Sequence, residues 1–365
     1  MTPSSLRAAR LPRELHPVAW WVWALGLAAA ASYTLNPLVL VVLVAVAATG
    51  VALRRSDQPW AASFRLYVAL GCAIVVVRVL FRVVFGGGDG PTVLVELPEI
   101  PLPDAAAGIR LLGPVTREAV LAGLYDGLRL ATLVICIGAA NALANPKRLL
   151  RSLPPALYEI GTALVVATTV LPQFADSARR VRAAQGLRGG PAGRFAGLRR
   201  VVVPVLEDAL DRSLRLAAGM DARGYGRSGS AGRGQRLVTG ALMLGALCGI
   251  CVGVYAVLDT TAPRLLAVPM LAAGVALASA GLVSAGRRVR RTRYRPDRWR
   301  WPELVVVCSG VTTGALGWWL SGHDLAIAYP GVSVVPALSP LVLVGAGIAL
   351  LGPVAAPPPP VAVAS

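Results

Sequence analysis

Nine apolar runs divide this sequence, and most of them are long enough to cross a lipid bilayer as α-helices. Apolar stretches of about 18 residues or more with few charges are typical of transmembrane helices. We therefore predict an all-α, polytopic membrane protein with roughly seven to ten spans. The runs cover residues 18–33, 38–53, 60–85, 121–143, 155–171, 237–258, 265–284, 304–320 and 337–351.

Composition and charge support this class. Hydrophobic residues make up 56% of the chain and charged residues 15%, whereas a soluble domain carries about 25% charged residues. The net charge is +18, and the arginines that produce it cluster between the apolar runs. Cytoplasmic loops collect such residues, so the clusters indicate membrane topology rather than nucleic-acid binding. We predict a multi-pass protein of the cell membrane without a nucleic-acid partner.

The apolar runs and charge clusters predict four regions. Residues 1–170 are N-terminal membrane helices with an external loop at 86–118, which is acid-rich and contains a strand-like alternation at 92–97. Residues 171–236 form a cytoplasmic region of amphipathic helices. Residues 237–352 are C-terminal membrane helices, and the proline-rich residues 353–365 are a disordered tail.

The predicted spans conflict with the charges at one place. With the N-terminus inside, four spans place the basic turn at 145–151 in the cytoplasm. A fifth span at 155–171 would then put the arginine-rich residues 171–236 outside, against the positive-inside rule. Either 155–171 does not cross fully or an earlier run is not a span. We give the charge cluster priority and place 171–236 in the cytoplasm.

A few polar residues within the spans suggest function. Arg78 and Arg82 lie one turn apart on one face, either as a functional pair or as cations that reach the headgroups. Asp126 and Arg129 have the spacing of a helical ion pair. The cysteines lie in apolar runs and the two histidines are isolated, so the sequence predicts no metal site and no cofactor.

The region at 171–236 contains two amphipathic helical patterns, at 172–188 and 198–223. Each ends in an arginine followed by glycine. A cation suits the C-terminus of a helix, and glycine suits the left-handed residue that follows it. One copy is compatible with an ordinary helix stop, whereas two copies favour docking into grooves on a partner, where arginine binds carboxylates in a bidentate manner. The two motifs are Leu187-Arg188-Gly189 and Ala222-Arg223-Gly224.

These motifs resemble those of a known family, the transmembrane (T) component of energy-coupling factor (ECF) transporters. Ala-Gly-Met-Asp-Ala-Arg-Gly-Tyr-Gly226 is similar to the second signature of the family, and Val-Arg-Ala-Ala-Gln-Gly-Leu-Arg-Gly189 to the first, with Leu187 where alanine is usual. The resemblance covers about residues 82–227. The four apolar runs after residue 236 exceed what the family leads us to expect.

The resemblance implies a mechanism and a set of partners. The arginine-ended helices would sit in grooves on two ABC ATPase subunits and transmit their closure to a small substrate-binding membrane (S) subunit, which imports a vitamin or a transition metal. The T component itself binds no nucleotide. The chain accordingly lacks a GxxxxGK[ST] phosphate loop, and we predict a non-catalytic subunit.

Two other functions remain open from the residues alone. A membrane enzyme acting on lipid-linked substrates would need catalytic groups at the interface, and the candidates are scattered along the chain. A membrane scaffold would use the arginine-rich region to hold anionic lipid. The enzyme candidates are Asp104, Glu118, Asp126 and His323.

Overall fold

The computed structural model describes residues 12–56, 62–85, 90–98, 112–187, 194–225, 233–259, 264–287, 297 and 299–359, with the backbone alone for 194–199 and Tyr158. The described residues are almost entirely helical, which confirms the predicted fold class. The chain forms two compact units. The first combines Met1–Leu149 with Pro296–Ser365, and the second is Leu150–Arg295.

The first unit is built from both ends of the sequence. Polar side chains begin several of its helices, because Asn36, Thr116 and Ser339 each accept a hydrogen bond from a backbone N–H of the first turn. Its helices are α1 (Pro17–Ser32), α2 (Pro37–Arg54), α3 (Phe64–Phe85), α4 (Arg117–Leu143), the start of α5 (Pro146–Arg151), α10 (Trp301–His323), α11 (Leu325–Ala328) and α12 (Pro340–Ala355).

Helix α1 packs against α10 at unusually short range. A Cβ atom placed on Gly26 would lie 2.0 Å from the carbonyl oxygen of Gly310, and one on Gly310 would lie 2.4 Å from the Cα of Trp23. The Trp23 ring is fully buried, and its Nε1 donates to the carbonyl oxygen of Ala349 in α12 at 2.9 Å. The C-terminal helices are therefore part of the core of the first unit.

Basic residues mark one end of the first unit, which we call the basic end. The two terminal guanidinium nitrogens of Arg13, Nη1 and Nη2, donate to the buried carboxylate of Glu303, at 2.6 and 3.0 Å. Arg148 binds Glu14 at 3.1 Å and also pairs with Asp297. The starts of α1, α5 and α10 therefore meet at the basic end. Four helices, α1 to α4, lie between Glu14 and Arg148, so the chain leaves the basic end with α1 and returns to it after α4.

The C-terminal part of α12 reaches the basic end as well. Arg54, the last residue of α2, donates to the carbonyl oxygens of Pro353 and Val354 at 2.6 and 3.0 Å, and Arg13 N–H donates to the carbonyl of Pro358 at 3.1 Å. The chain is thus helical to Ala355 and hydrogen-bonded at Pro358, beyond residue 353, where we predicted a disordered tail. Residues 360–365 lie outside the described part.

Loops and a short sheet form the far end of the first unit. The Asn36 amide donates to the carbonyl oxygens of Ile327 and Ala337, at 2.9 and 2.8 Å. Strands β1 (Val93–Glu96) and β2 (Pro114–Thr116) pair in an antiparallel manner, which confirms the strand predicted at 92–97.

The second unit contains two helical hairpins. A 3-10 turn (Pro155–Leu157) leads into α6 (Tyr158–Leu187), which packs on α7 (Arg194–Ala222). Helices α8 (Arg233–Leu258) and α9 (Arg264–Gly286) form the other hairpin.

Six described helices are long and apolar enough to cross a membrane, and two shorter apolar helices, α1 and α12, accompany them. Helix α6 is not among the six. The sequence left open whether the run at 155–171 crosses the membrane and predicted a separate helix from Pro172, whereas α6 runs without a break through Pro172 to Leu187. The six are Pro37–Arg54, Phe64–Phe85, Arg117–Leu143, Arg233–Leu258, Leu265–Gly286 and Trp301–His323.

Candidate docking site on the α6–α7 hairpin

Helices α6 and α7 are the longest pair of consecutive helices in the second unit. They contain 30 and 29 residues, so each is about 45 Å long at 1.5 Å per residue. They pack on each other, and a side-chain hydrogen bond joins them near mid-length. The hairpin therefore presents two extended helix ends for a partner.

The structure describes one of the two predicted motifs completely. Ala222 is the last residue of α7, and Arg223 and Gly224 form the turn that follows. Of the other motif it describes only Leu187, which ends α6 with 90% of its surface exposed. Arg188 and Gly189 lie outside the described residues.

The end of α7 is a Schellman motif. Gly224 has a φ of 77°, the left-handed conformation that glycine adopts without a steric penalty, as the sequence led us to expect. Its N–H donates to the carbonyl of Asp221 at 2.8 Å, and the N–H of Tyr225 donates to the carbonyl of Met220 at 3.0 Å. These are the two hydrogen bonds of the motif, and they fix Arg223 as the C-cap residue.

The Arg223 side chain is available to a partner. The residue is exposed, and its guanidinium makes no hydrogen bond or ion pair with any other residue that the structure describes. The helix end is narrow, because Ala222 before Arg223 has a small side chain and Gly224 after it has none. The space around Gly224 is open, since a Cβ atom placed on it would meet no atom within 4 Å. An exposed guanidinium on a fixed helix end is suited to a carboxylate in a groove.

A polar cluster joins α6 to α7, and the sequence did not reveal it. The buried hydroxyl of Ser177 donates to Asp208 Oδ2 at 2.6 Å, and Arg212 Nε donates to Asp208 Oδ1 at 3.0 Å. The hydrogen bond from Ser177, followed by that from Arg212, holds the pKa of Asp208 below the ordinary value of an aspartate. We call Ser177, Asp208 and Arg212 the polar clasp.

An apolar ridge on α7 is largely exposed among the described residues of the chain. Leu206, Leu210 and Leu214 follow one another at intervals of one turn, and they are 55%, 63% and 69% exposed. Contiguous exposed apolar surface of this kind marks a contact with protein or lipid.

The candidates for an enzyme remain apart in the structure. Glu118 accepts a hydrogen bond from the Thr92 hydroxyl at 2.5 Å, Asp126 lies farther along α4, and His323 ends α10. Asp104 lies outside the described residues. Within the described ranges, no three His, Cys, Asp or Glu side chains come together as metal ligands.

The predicted ion pair of Asp126 with Arg129 does not form. Arg129 Nη2 instead donates to the carbonyl oxygen of Ser32 at the C-terminus of α1. That carbonyl belongs to the last turn of a helix and needs a donor, so the cation takes a partner from another element.

Comparison with known proteins gives one family. Residues 8–236, more than half of the chain, match the family model described as CbiQ, cobalt transport protein. A search of curated proteins finds no match. The matched part contains α1 to α7 and ends within the first turn of α8, so most of α8 and all of α9 to α12 lie beyond it.

Proposed function

Because the chain belongs to the cobalt transport protein family (CbiQ), whose members are membrane transport components, we propose that it is the transmembrane coupling subunit of an ECF-type importer. The observation that carries this proposal is the end of α7, where a Schellman motif presents the exposed guanidinium of Arg223. The description of the family favours a transition-metal ion over a vitamin as the cargo of the importer.

The proposed partners divide between the helix ends and the apolar ridge. Arg188 at the end of α6 and Arg223 at the end of α7 would each enter a groove on one of two ABC ATPase subunits. The ridge of Leu206, Leu210 and Leu214 would face a small substrate-binding membrane subunit. When ATP draws the ATPases together, the helix ends follow, and the polar clasp passes the movement from one helix to the other.

Charges and spans agree on one topology for this proposal. If α6 and α7 remain in the cytoplasm, the six candidate spans and the two shorter helices α1 and α12 give eight crossings. The basic residues near 54–55, 145–151, 171–236 and 287–300 then all lie inside, as the positive-inside rule requires. Both termini also lie inside, in agreement with the contacts of Arg13 at the basic end. The conflict noted in the sequence disappears.

The test is co-purification of ATPase subunits with the tagged chain. Removing one partner of a desolvated charge pair costs about 2–5 kcal/mol, which weakens a contact by roughly 30-fold to several thousand-fold. We expect Arg223→Ala to reduce ATPase retention and transport strongly, Arg188→Ala less strongly, and the double variant to lose the ATPases. Each contact raises the effective concentration for the other, so the double loss exceeds either single loss.

A matched control lies on the same helix. Arg215 is exposed and pairs with Asp211 one turn away, so Arg215→Ala removes a similar charge without touching the helix end. We expect normal ATPase retention in that variant. Full retention by a double variant that inserts normally would refute the coupling role, and equal loss in the control would show that general positive charge, as in lipid binding, explains the effect. Arg223→Lys distinguishes the two further, because lysine keeps the charge but not the bidentate geometry.

A further inference from the structure

A cavity of about 190 Å³ lies between α3 and α4 of the first unit. It sits toward the far end of the first unit, since Arg78 is seven residues, or about 10 Å, from the last residue of α3. Arg82, three residues from that end, therefore lies just below the headgroups of a bilayer, and Arg78 lies one turn deeper, about 5 Å from the middle of the 22-residue helix. The cavity is lined by Arg78, Phe81, Arg82, Phe85, Gly123 and Asp126.

Two glycines of α4 allow the arginine stems to lie close to that helix. A Cβ on Gly123 would lie 3.0 Å from Cγ of Arg82, and a Cβ on Gly127 would lie 3.2 Å from Cβ of Arg78. The aliphatic parts of the two arginine side chains therefore pack against the glycine positions of α4, where no side chain intervenes. Because the arginines are one turn apart, they project from the same face of α3.

The charged groups of the cavity are free to bind a ligand. Within the described ranges, neither guanidinium has a hydrogen bond or an ion pair, and the Asp126 carboxylate has none either. Two arginines and one aspartate leave a formal charge of +1. An uncompensated arginine pair within a membrane span is costly, so a bound counter-charge would stabilise it.

The rim of the cavity is apolar and faces the exterior of the unit. The rings of Phe81 and Phe85 are 4.6 Å apart, and 55% and 42% of the two residues is exposed. Leu80 beside them is 56% exposed. A ligand that fits this arrangement carries a single negative charge at its polar group and hydrocarbon next to it. A phospholipid with an anionic headgroup has this combination of groups.

We propose that Arg78 and Arg82 bind the phosphodiester of an anionic phospholipid whose acyl chains lie against Phe81 and Phe85. Each guanidinium donates to phosphate oxygens, and the headgroup charge of −1 balances the site. Asp126 limits the site to a monoanion, because a second negative charge would meet its carboxylate. The proposal requires only that α3 and α4 span the membrane, so it stands or falls separately from the coupling role.

The test measures lipid retention by the purified full-length protein. Native mass spectrometry counts bound phosphatidylglycerol, and thermal unfolding in detergent follows the stabilisation that added lipid gives. We expect Arg78→Gln/Arg82→Gln to lower the apparent affinity for phosphatidylglycerol at least about tenfold, the effect of losing charge-assisted hydrogen bonds. Arg65→Gln is the matched control, because Arg65 is an exposed arginine near the other end of α3.

A variant that should raise the lipid affinity distinguishes a specific effect from misfolding. Asp126→Asn keeps both arginines and raises the charge of the site to +2, so we expect it to retain phosphatidylglycerol more tightly than the native chain. Unchanged affinity in the double arginine variant, or weaker retention in Asp126→Asn, would overturn the proposal. So would equal, arginine-dependent stabilisation by phosphatidylcholine or by millimolar inorganic phosphate, since the site would then select neither an anionic headgroup nor a lipid.

Discussion

Asp208 shows how a single carboxylate can connect two long helices. It accepts hydrogen bonds from Ser177 on α6 and from Arg212 on its own helix, so both of its oxygens have partners. Since these donors favour the charged form, the folded pKa lies below that of the unfolded chain. The stabilisation that the clasp contributes is therefore complete above the unfolded pKa and disappears as the pH falls through the folded pKa.

We predict that Asp208→Asn loosens the hairpin at neutral pH, whereas the native hairpin loosens only in acid. Spin labels at Ala167 and Ala218, which are exposed on α6 and α7, report the distance between the helices. The distance distribution should broaden in the variant at pH 7. In the native chain it should stay narrow from about pH 5 to pH 8 and broaden below the ordinary range of an aspartate.

Asp211→Asn is the matched control for this prediction. Asp211 pairs only with Arg215 on its own helix, at the exposed surface, and such pairs contribute little. The distance distribution should remain narrow in this variant. Broadening of equal size in both variants would mean that the clasp has no special role.

At the scale of helices and strands, the sequence predicted type better than boundaries. The strand at 92–97 is present as Val93–Glu96, and the helix predicted at 198–223 is present as Arg194–Ala222. The helix break predicted before Pro172 was wrong. Proline removes one hydrogen bond and usually ends or kinks a helix, yet α6 continues through it. Helix α6 contacts α7 just past this proline, where Arg212 Nη1 donates to Gln173 Oε1 at 3.5 Å, so tertiary contacts accompany the unbroken helix.

The part of the candidate site that follows from local chemistry was predictable, and the part that depends on helix packing was not. In the sequence alone, Gly224 and Arg223 indicate a helix end. Ser177 gives no such signal, because its role exists only where α6 lies beside Asp208 of α7. Arg129 is similar, since spacing suggested Asp126 as its partner and the fold supplies a carbonyl of α1 instead.

Glycine contacts between α1 and α10 give a prediction at the same scale. Gly310→Ala places a methyl group 2.4 Å from the Trp23 Cα, which backbone movement alone can relieve. We expect a loss of about 1–3 kcal/mol, typical of overpacking, seen as a lower unfolding temperature of the purified protein. Gly322→Ala on the same helix meets nothing within 4 Å and should be neutral or slightly stabilising. Equal behaviour of the two variants would show that α1 and α10 do not pack in this way.

For the whole molecule, the eight crossings that we propose give a topology that labelling can test. Cysteines introduced at Ser228 and Thr292 should be protected from a membrane-impermeant thiol reagent in intact cells, and a cysteine at Thr260 should react. Each position lies between two described helices and outside the described residues, and the native cysteines would first be replaced by alanine. Labelling at Ser228 from outside would mean that α6 crosses the membrane after all.

The extent of the first unit leads to the last prediction. The family match ends at residue 236, yet α10 and α12 bury Trp23 and supply the Glu303 carboxylate that binds Arg13. A chain that ends at residue 287 therefore leaves an aromatic core residue and an arginine without partners, and we expect little of it to accumulate in the membrane. Co-expression of residues 288–365 as a separate chain should restore its abundance, and the same fragment with Gly310→Val should not, because the larger side chain blocks packing on α1. If the shortened chain alone reached native abundance and heat stability, the C-terminal helices would be an appendage rather than part of the core.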